Sequence, residues 1–189
     1  NPVTGEALDP VPFFSTTQGF SVTRGQALPA LNLTRVFVLT GEGTCSASES
    51  IINSLRGIDV EVIQVGSTTC GKPYGFYPAD NCGTTYFSIQ FEGVNAKGFG
   101  DYGDGYSPQN TAAVGGERIP GCSLADDFTH PLGDPSEVLL STALSYRMSA
   151  ACPAPTGQSA SGRAQIRGKA SGPSQPIGRP FWRDSRIGH

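Results

Sequence analysis

The sequence has few charged residues, few histidines and no long apolar run. Asp, Glu, Lys and Arg make up 15% of its 189 residues, and His occurs twice. No segment approaches the roughly 18 consecutive apolar residues that a membrane-spanning helix needs. The low charge and the lack of a heptad repeat exclude a long coiled coil, and the net charge of -3 does not favour nucleic-acid binding. Cysteine pairs with zinc-site spacing are also missing, which argues against a structural zinc site.

Glycine and proline are abundant instead, and they divide the chain. The 25 Gly and 15 Pro predict many loops. Residues 1–34 are punctuated by both and are predicted to be an irregular N-terminal segment. Residues 153–189 hold six Lys or Arg and a single acid among few apolar side chains, so we expect a basic, disordered tail. Residues 35–152 are left as one predicted domain.

The first part of that domain has the pattern of a βαβ unit. Arg35–Thr40 and Val60–Val65 are short β-branched runs that predict buried strands. Between them, residues 46–56 carry apolar side chains at helical spacing, and Gly57 is predicted to cap that helix. A strand, a helix and a second strand in about 30 residues predict a parallel sheet and an α/β fold.

The rest of the domain is predicted mainly from its turns and one further helix. Residues 66–83 form a Gly-, Thr- and Cys-rich loop, Thr85–Phe91 predicts a third strand, and residues 92–123 read mostly as loop. Pro135–Tyr146 predicts a second helix with its proline in the first turn. A GxGxxG match at Gly98–Gly103 leads into no helix and therefore does not predict a nucleotide site.

Five cysteines allow two disulfides and one free thiol. The pairings closest in sequence are Cys70 with Cys82 and Cys122 with Cys152, which would leave Cys45 free. Connectivity cannot be derived from sequence alone, and buried free thiols are the alternative. Disulfides would indicate an oxidising, extracytoplasmic compartment: periplasmic, envelope-anchored or secreted. The first residues show no signal peptide, so the protein is either cytoplasmic or represented here from a point after its signal.

One serine lies at the predicted start of a helix, a position that favours nucleophilic catalysis. The segment Thr44–Glu49 stands where the first strand ends and the helix begins. A hydroxyl at Ser46 would be near the first-turn N–H groups at the positive end of the helix dipole, which can also stabilise an oxyanion. The alternative is helix capping, because Ser46 and Glu49 have capping-box spacing. This motif alone favours capping.

A lysine follows the neighbouring strand. Gly66–Lys72 is a Gly-rich loop that we expect at the same end of the parallel sheet as Ser46, where sites in open α/β sheets gather. A lysine in a partly apolar pocket has a lowered pKa and can act as general base to a serine. The alternative is an ordinary surface lysine.

Together the two motifs resemble those of the carboxy-terminal processing proteases, also called tail-specific proteases. The resemblance rests on Ser46-Ala-Ser-Glu49 and on Gly66-x-x-Thr69-x-Gly71-Lys72, and it covers about residues 35–145. It implies a crotonase-like (ClpP-like) protease core, present here in part. The implied activity is serine endopeptidase cleavage of polypeptides through a Ser/Lys dyad and an acyl-enzyme, with no metal and no cofactor.

The resemblance also implies a role for individual residues. Ser46 would be the nucleophile, and Lys72, which lies 26 residues later, would be the general base. The backbone N–H of Ala47 would donate to the oxyanion. Thr69 matches the threonine of the family's lysine loop and would support that loop.

The sequence departs from the family in three respects. Phe76 stands where some members carry a glutamine that supports the lysine. The upstream DLRxNxGG-like segment, whose glycine supplies the second oxyanion donor, is not in the sequence, and neither is a PDZ-like module. We therefore expect the carboxyl-terminal part of a larger protease, inactive by itself. The alternatives are a non-catalytic ligand- or peptide-binding module on the same fold and a disulfide-stapled interaction domain.

Overall fold

A parallel pair of strands joined by a helix begins the ordered part of the molecule. The computed structural model describes residues 11–112 and 115–156. Strand β1 spans Arg35–Thr40, helix α1 Ala47–Gly57 and strand β2 Glu61–Gly66. The two strands pair in parallel along their whole length. The predicted βαβ unit is confirmed, and its bounds differ from the prediction by one residue at each affected end.

Four short strands then form two antiparallel ribbons. They are β3 (Tyr74–Gly75), β4 (Ala79–Asn81), β5 (Thr84–Tyr86) and β6 (Phe91–Glu92). β3 pairs with β6 and β4 pairs with β5. The prediction of one strand over Thr85–Phe91 is therefore wrong. Its two ends pair with different partners within the same segment, residues 74–92, which we call the ribbon segment.

Three more short strands lie in the region that the sequence predicted to be mostly loop. They are β7 (Tyr106–Pro108), β8 (Glu117–Ile119) and β9 (Gly121–Ser123). β7 pairs in parallel with β8, and β9 pairs in parallel with β2, which gives a sheet of order β1-β2-β9. Each of these strands has three residues, too few to show an alternating pattern, so the sequence did not reveal them.

The second predicted helix exists but begins later than expected. α2 spans Val138–Ser149, and Pro135 precedes its first turn instead of lying in it. The N-cap is the buried Glu137, whose carboxyl oxygens accept hydrogen bonds at 2.8 Å from the backbone N–H groups of Leu139 and Leu140. A carboxyl group at this place satisfies unpaired N–H groups at the positive end of the helix dipole.

Gly57 has a different role from the predicted cap. It is the last residue of α1, and the cap is Ile58. A side chain at Gly57 would place its Cβ 2.8 Å from the Cβ of Asn95 and 2.9 Å from the backbone nitrogen of Ala96. Glycine is therefore required here for the close approach of the 95–96 backbone, and not for a left-handed helix end.

The sheet is covered on both faces, as a parallel sheet normally is. Ile63 and Val65 of β2 pack in one cluster with side chains of β9 and α2, and Val62 packs on the other face with Ile52 of α1. This alternation along β2 follows from the two-residue period of a strand. The chain is therefore an α/β protein with one helix on each face of its parallel sheet.

The described N-terminal residues contain little regular structure. Residues 11–34 hold one isolated bridge, between Thr16 and Ala27. The first ten residues, and the predicted tail from residue 157 onward, lie outside the described residues. Within the described ranges, neither helix has the length and apolar character needed to cross a membrane.

Candidate active site at the carboxyl end of the parallel strands

The structure brings the serine motif and the lysine loop together. β1 and β2 end side by side, with Thr40 opposite Gly66, and the chain continues from these ends into the two motifs. Cys45 and Cys70 form a disulfide with a Cα–Cα distance of 5.3 Å. The bridge therefore joins the residue before Ser46 to a residue of the Gly66–Lys72 loop.

This disulfide corrects the pairing suggested by sequence proximity. Cys70 is bonded to Cys45 and not to Cys82, which is an exposed thiol at the turn between β4 and β5. The reason is topological, because adjacent parallel strands place the residues that follow them close together whatever their separation in sequence. The other predicted pair, Cys122 with Cys152, is confirmed. Both bridges fit an oxidising environment.

Ser46 has an unusual backbone conformation. It is the N-cap of α1, with φ 54° and ψ -110°. This combination lies outside the left-handed region that non-glycine residues sometimes adopt, so the residue is strained. Strain of this kind persists only where the surroundings enforce it, and it is concentrated at functional sites. Ser46 is also exposed, so its hydroxyl is accessible at the start of the helix.

The backbone N–H of Ala47 lies at the positive end of α1. Ala47 is the first helical residue, and the first N–H groups of a helix have no partner within it. Across the part of the chain that the structure describes, no hydrogen bond involves the Ala47 N–H. It is therefore available to an anionic oxygen.

A single buried carboxyl group binds both motifs. Glu49 is fully buried, and its Oε2 accepts hydrogen bonds from the backbone N–H of Ser46 at 2.9 Å and of Lys72 at 2.8 Å. Its Oε1 accepts from the N–H of Gly71 at 2.7 Å and from the hydroxyl of Thr69 at 2.5 Å. Because one oxygen binds the amides of both Ser46 and Lys72, their backbones are held a fixed distance apart.

Sequence reasoning assigned Glu49 only a capping role. The bond to the Ser46 N–H is the glutamate half of a capping box. Capping-box spacing already explains a glutamate at this position, so nothing in the sequence indicated the three contacts to the lysine loop. The signal that could have revealed them is the topology, since the ends of β1 and β2 are neighbours.

Thr69 fastens the lysine loop to the rest of the fold. It is buried, and its hydroxyl donates to Glu49 and accepts from the backbone N–H of Tyr106 at 2.8 Å. Gly71 has a φ of +77°, and a Cβ there would lie 2.1 Å from the carbonyl oxygen of Gly103. The loop therefore has a fixed path that only glycine permits at this point.

The side chain of Lys72 is exposed, in contrast to its fixed backbone. The described residues give its ammonium no hydrogen bond and no ion pair, and the partly apolar pocket expected from the sequence does not enclose it. The side chain of Phe76 has no polar group that could support Lys72. Its ring packs edge-on against Phe87 in the ribbon segment, with centroids 5.4 Å apart.

Other features of the surface lie away from this site. A cleft of about 450 Å³ is found near the far end of α1, lined among others by Arg56, Asp59 and Lys97. Arg56 and Lys97 are each paired there, with Glu117 and with Asp59. In the residues that the structure describes, no three His, Cys, Asp or Glu side chains are grouped so that they could hold a metal ion.

Comparison with known proteins gives one structural similarity. No protein-family model matches the chain, and no curated protein matches it. Among solved structures, the chain is similar to a crystal structure of a protein provisionally named an S41 protease, from Bacteroides fragilis. The TM-score is 0.47 and the sequence identity 26%, over 64% of this chain and 29% of that protein. The chain thus spans less than a third of the length of the protein it matches.

Proposed function

We propose that the chain is part of a serine peptidase that cleaves polypeptides, with Ser46 as nucleophile and Lys72 as general base. The observation that carries the proposal is the strained Ser46 at the start of α1, because its backbone amide shares one carboxyl oxygen with that of Lys72. Nucleophilic serines are commonly presented on strained turns that lead into a helix, where the following N–H can bind the oxyanion.

In the proposed reaction the Ser46 hydroxyl attacks the peptide carbonyl carbon while the neutral amine of Lys72 takes its proton. The carbonyl oxygen becomes an oxyanion that the N–H of Ala47 binds. The C–N bond then breaks, and the proton on Lys72 passes to the departing amine, leaving an acyl-enzyme on Ser46. A water molecule then attacks the ester carbon while Lys72 takes its proton. The bond from that carbon to the Ser46 oxygen breaks, the carboxylic acid leaves, and the proton on Lys72 returns to Ser46. Thr69 keeps the lysine loop in place through Glu49.

The proposal extends to fold and location. Residues 35–152 would belong to a protease core of the crotonase-like type, of which this chain supplies part. The two disulfides support an extracytoplasmic compartment, which is periplasmic, envelope-anchored or secreted. The substrate class is polypeptide.

The second candidate is a non-catalytic module that binds a ligand or peptide on the same fold. The observation that favours it is the exposed Lys72 side chain, which has no polar partner in the described residues. The phenylalanine at position 76, in place of a supporting glutamine, points the same way. The two candidates differ in one measurable respect, which is whether peptide bonds are cleaved in a manner that depends on Ser46.

The test is kinetic and uses the full natural protein on an unstructured polypeptide. We expect S46A and K72A each to lower kcat/KM by about 10³-fold or more, and the double variant to lose no more than the singles, because the two residues act as a unit. S48A, on the same turn of α1, and K97A, a lysine paired on the surface, are the matched controls. Near wild-type cleavage by K72A would rule out the dyad, and absence of Ser46-dependent cleavage in the wild type would favour the binding module.

A further inference from the structure

The disulfide between Cys45 and Cys70 lies beside both proposed reacting residues. Cys45 immediately precedes Ser46, and Cys70 precedes Lys72 by two residues. The bridge spans 25 residues of sequence, which include all of α1 and β2. The Sγ of Cys70 also lies 3.9 Å from Oε2 of Glu49, which is the oxygen that binds the backbone amides of Ser46 and Lys72.

The restraints on Ser46 are hydrogen bonds on both sides and a covalent bond on one. On its C-terminal side, its carbonyl accepts from the N–H of Ser50 at 2.8 Å. On its N-terminal side there are three hydrogen bonds. The N–H of Ser46 donates to Glu49, the Cys45 carbonyl accepts from the N–H of Ser48 at 3.1 Å in the easily frayed first turn, and the Thr44 carbonyl accepts from the N–H of Cys70 at 3.1 Å. The covalent restraint on that side is the disulfide.

Hydrogen bonds alone stabilise a strained backbone conformation only weakly. The cost of a backbone conformation such as that of Ser46 is comparable to the net contribution of one or two hydrogen bonds. If the bridge were lost, the segment before Ser46 would be held by hydrogen bonds alone, and the strain could relax. Glu49, Thr69 and the packed sheet would still hold α1 and the lysine loop, since their contacts do not involve the bridge.

We infer that the Cys45–Cys70 disulfide is a positioning device for the nucleophile: it holds Ser46 in the reactive conformation relative to Lys72, so that catalysis, and not the fold, depends on the bridge. The inference rests on the proposed function. The other disulfide provides the contrast, because Cys122 is fully buried in the core under α2 and neither of its cysteines adjoins Ser46 or Lys72.

The experiment compares C45A/C70A with C122A/C152A in the full natural protein. A misplacement near 1 Å at a reacting atom lowers rates about 10²-fold. For C45A/C70A we therefore expect kcat to fall about 10²-fold with KM nearly unchanged. Amide hydrogen exchange followed by NMR should quicken at least about tenfold at Ser46, while Gly71, Lys72 and Ile52 stay protected. C122A/C152A should keep its kcat within about twofold, although its Tm falls.

Each possible result either supports or overturns the inference about the disulfide. A C45A/C70A variant with wild-type kcat, or with unchanged exchange at Ser46, would overturn the inference. So would loss of protection at Ile52, because the bridge would then stabilise the whole fold. If the wild type shows no Ser46-dependent cleavage, the proposed function fails, and the exchange data still test the role of the bridge: faster exchange confined to Ser46 supports positioning, and unchanged exchange refutes it.

Discussion

The parallel sheet and the ribbon segment use apolar residues in opposite ways. In the sheet, Ile63 and Val65 are 1% and 0% exposed, packed between β9 and α2. In the ribbon segment, Phe87 and Ile89 are 57% and 64% exposed, and the strands are two or three residues long. The sheet therefore contributes most of the hydrophobic stabilisation, whereas the ribbon is held by its own short pairings. The candidate site is built where the two regions meet, at Gly66–Lys72.

The largest difference is expected from one substitution made in each region. Gly66, at the end of β2, has a φ of +130°, and a Cβ there would lie 2.0 Å from the Thr40 carbonyl oxygen of β1. Gly83, at the ribbon turn, has a φ of +77° with nothing within 4 Å. We expect G66A to lower the free energy of unfolding by more than about 4 kcal/mol and G83A by only about 1–2 kcal/mol.

Urea denaturation of the chain, followed by circular dichroism, measures both values. Gly83 serves as the control, because its backbone also lies at positive φ while an added Cβ would meet no neighbouring atom within 4 Å. Equal losses for the two variants would mean that the contact with Thr40 is unimportant and would remove the distinction between the regions.

A smaller difference is expected between two isoleucines. Ile63 is buried in the sheet and Ile89 is exposed in the ribbon segment. Truncating a buried isoleucine to alanine removes its burial and leaves a cavity, so I63A should lower the free energy of unfolding by about 2–5 kcal/mol. For I89A we expect a change within about 0.5 kcal/mol. The same denaturation experiment applies. A loss above about 2 kcal/mol for I89A would show that the ribbon has a core of its own.

The same contrast explains which features the sequence predicted. β1, α1 and β2 have apolar residues at a regular period because each packs against the core, and their existence and order were correctly predicted. The meeting of the serine and lysine motifs followed from the topology of parallel strands. The ribbon strands have no buried face, so their pattern carried no pairing information and Thr85–Phe91 was wrongly read as one strand.

Features that depend on non-local contacts were not predictable from pattern. The bond between Cys45 and Cys70 and the convergence of three lysine-loop donors on Glu49 both join residues 20 or more positions apart. β9 is similar, because Gly121–Ser123 becomes a strand only through its pairing with β2. Such contacts arise when the sheet assembles, and no local propensity records them.

The smallest expected effect on stability comes from an exposed contact between His130 and Asp127. It lies outside both regions, in the loop between β9 and α2. Nδ1 of His130 lies 2.7 Å from Oδ2 of Asp127, and the hydroxyl and N–H of Thr129 donate to Oδ1 of Asp127 at 2.6 and 2.8 Å. The Thr129 bonds, together with the bond from His130, hold the pKa of Asp127 well below its ordinary value. The hydrogen bond to Asp127 in turn raises the pKa of His130.

The direction of each pKa shift determines the pH range in which the contact stabilises the protein. The Asp127 contribution is present above its unfolded pKa of about 3.9 and is lost as the pH falls further, whereas the His130 contribution is present below about 6.5 and is lost as the pH rises through its raised folded value. The pair therefore stabilises the fold most between about pH 4 and 6.5.

An NMR titration of the His130 ring should give a pKa above the ordinary value in the wild type and one close to it in D127N, with H189A used to assign the resonances. T129A, which removes only the hydroxyl donor, should leave the pKa of His130 raised, because its contact with Asp127 remains. An unchanged His130 pKa in D127N would show that this exposed contact does not persist in solution.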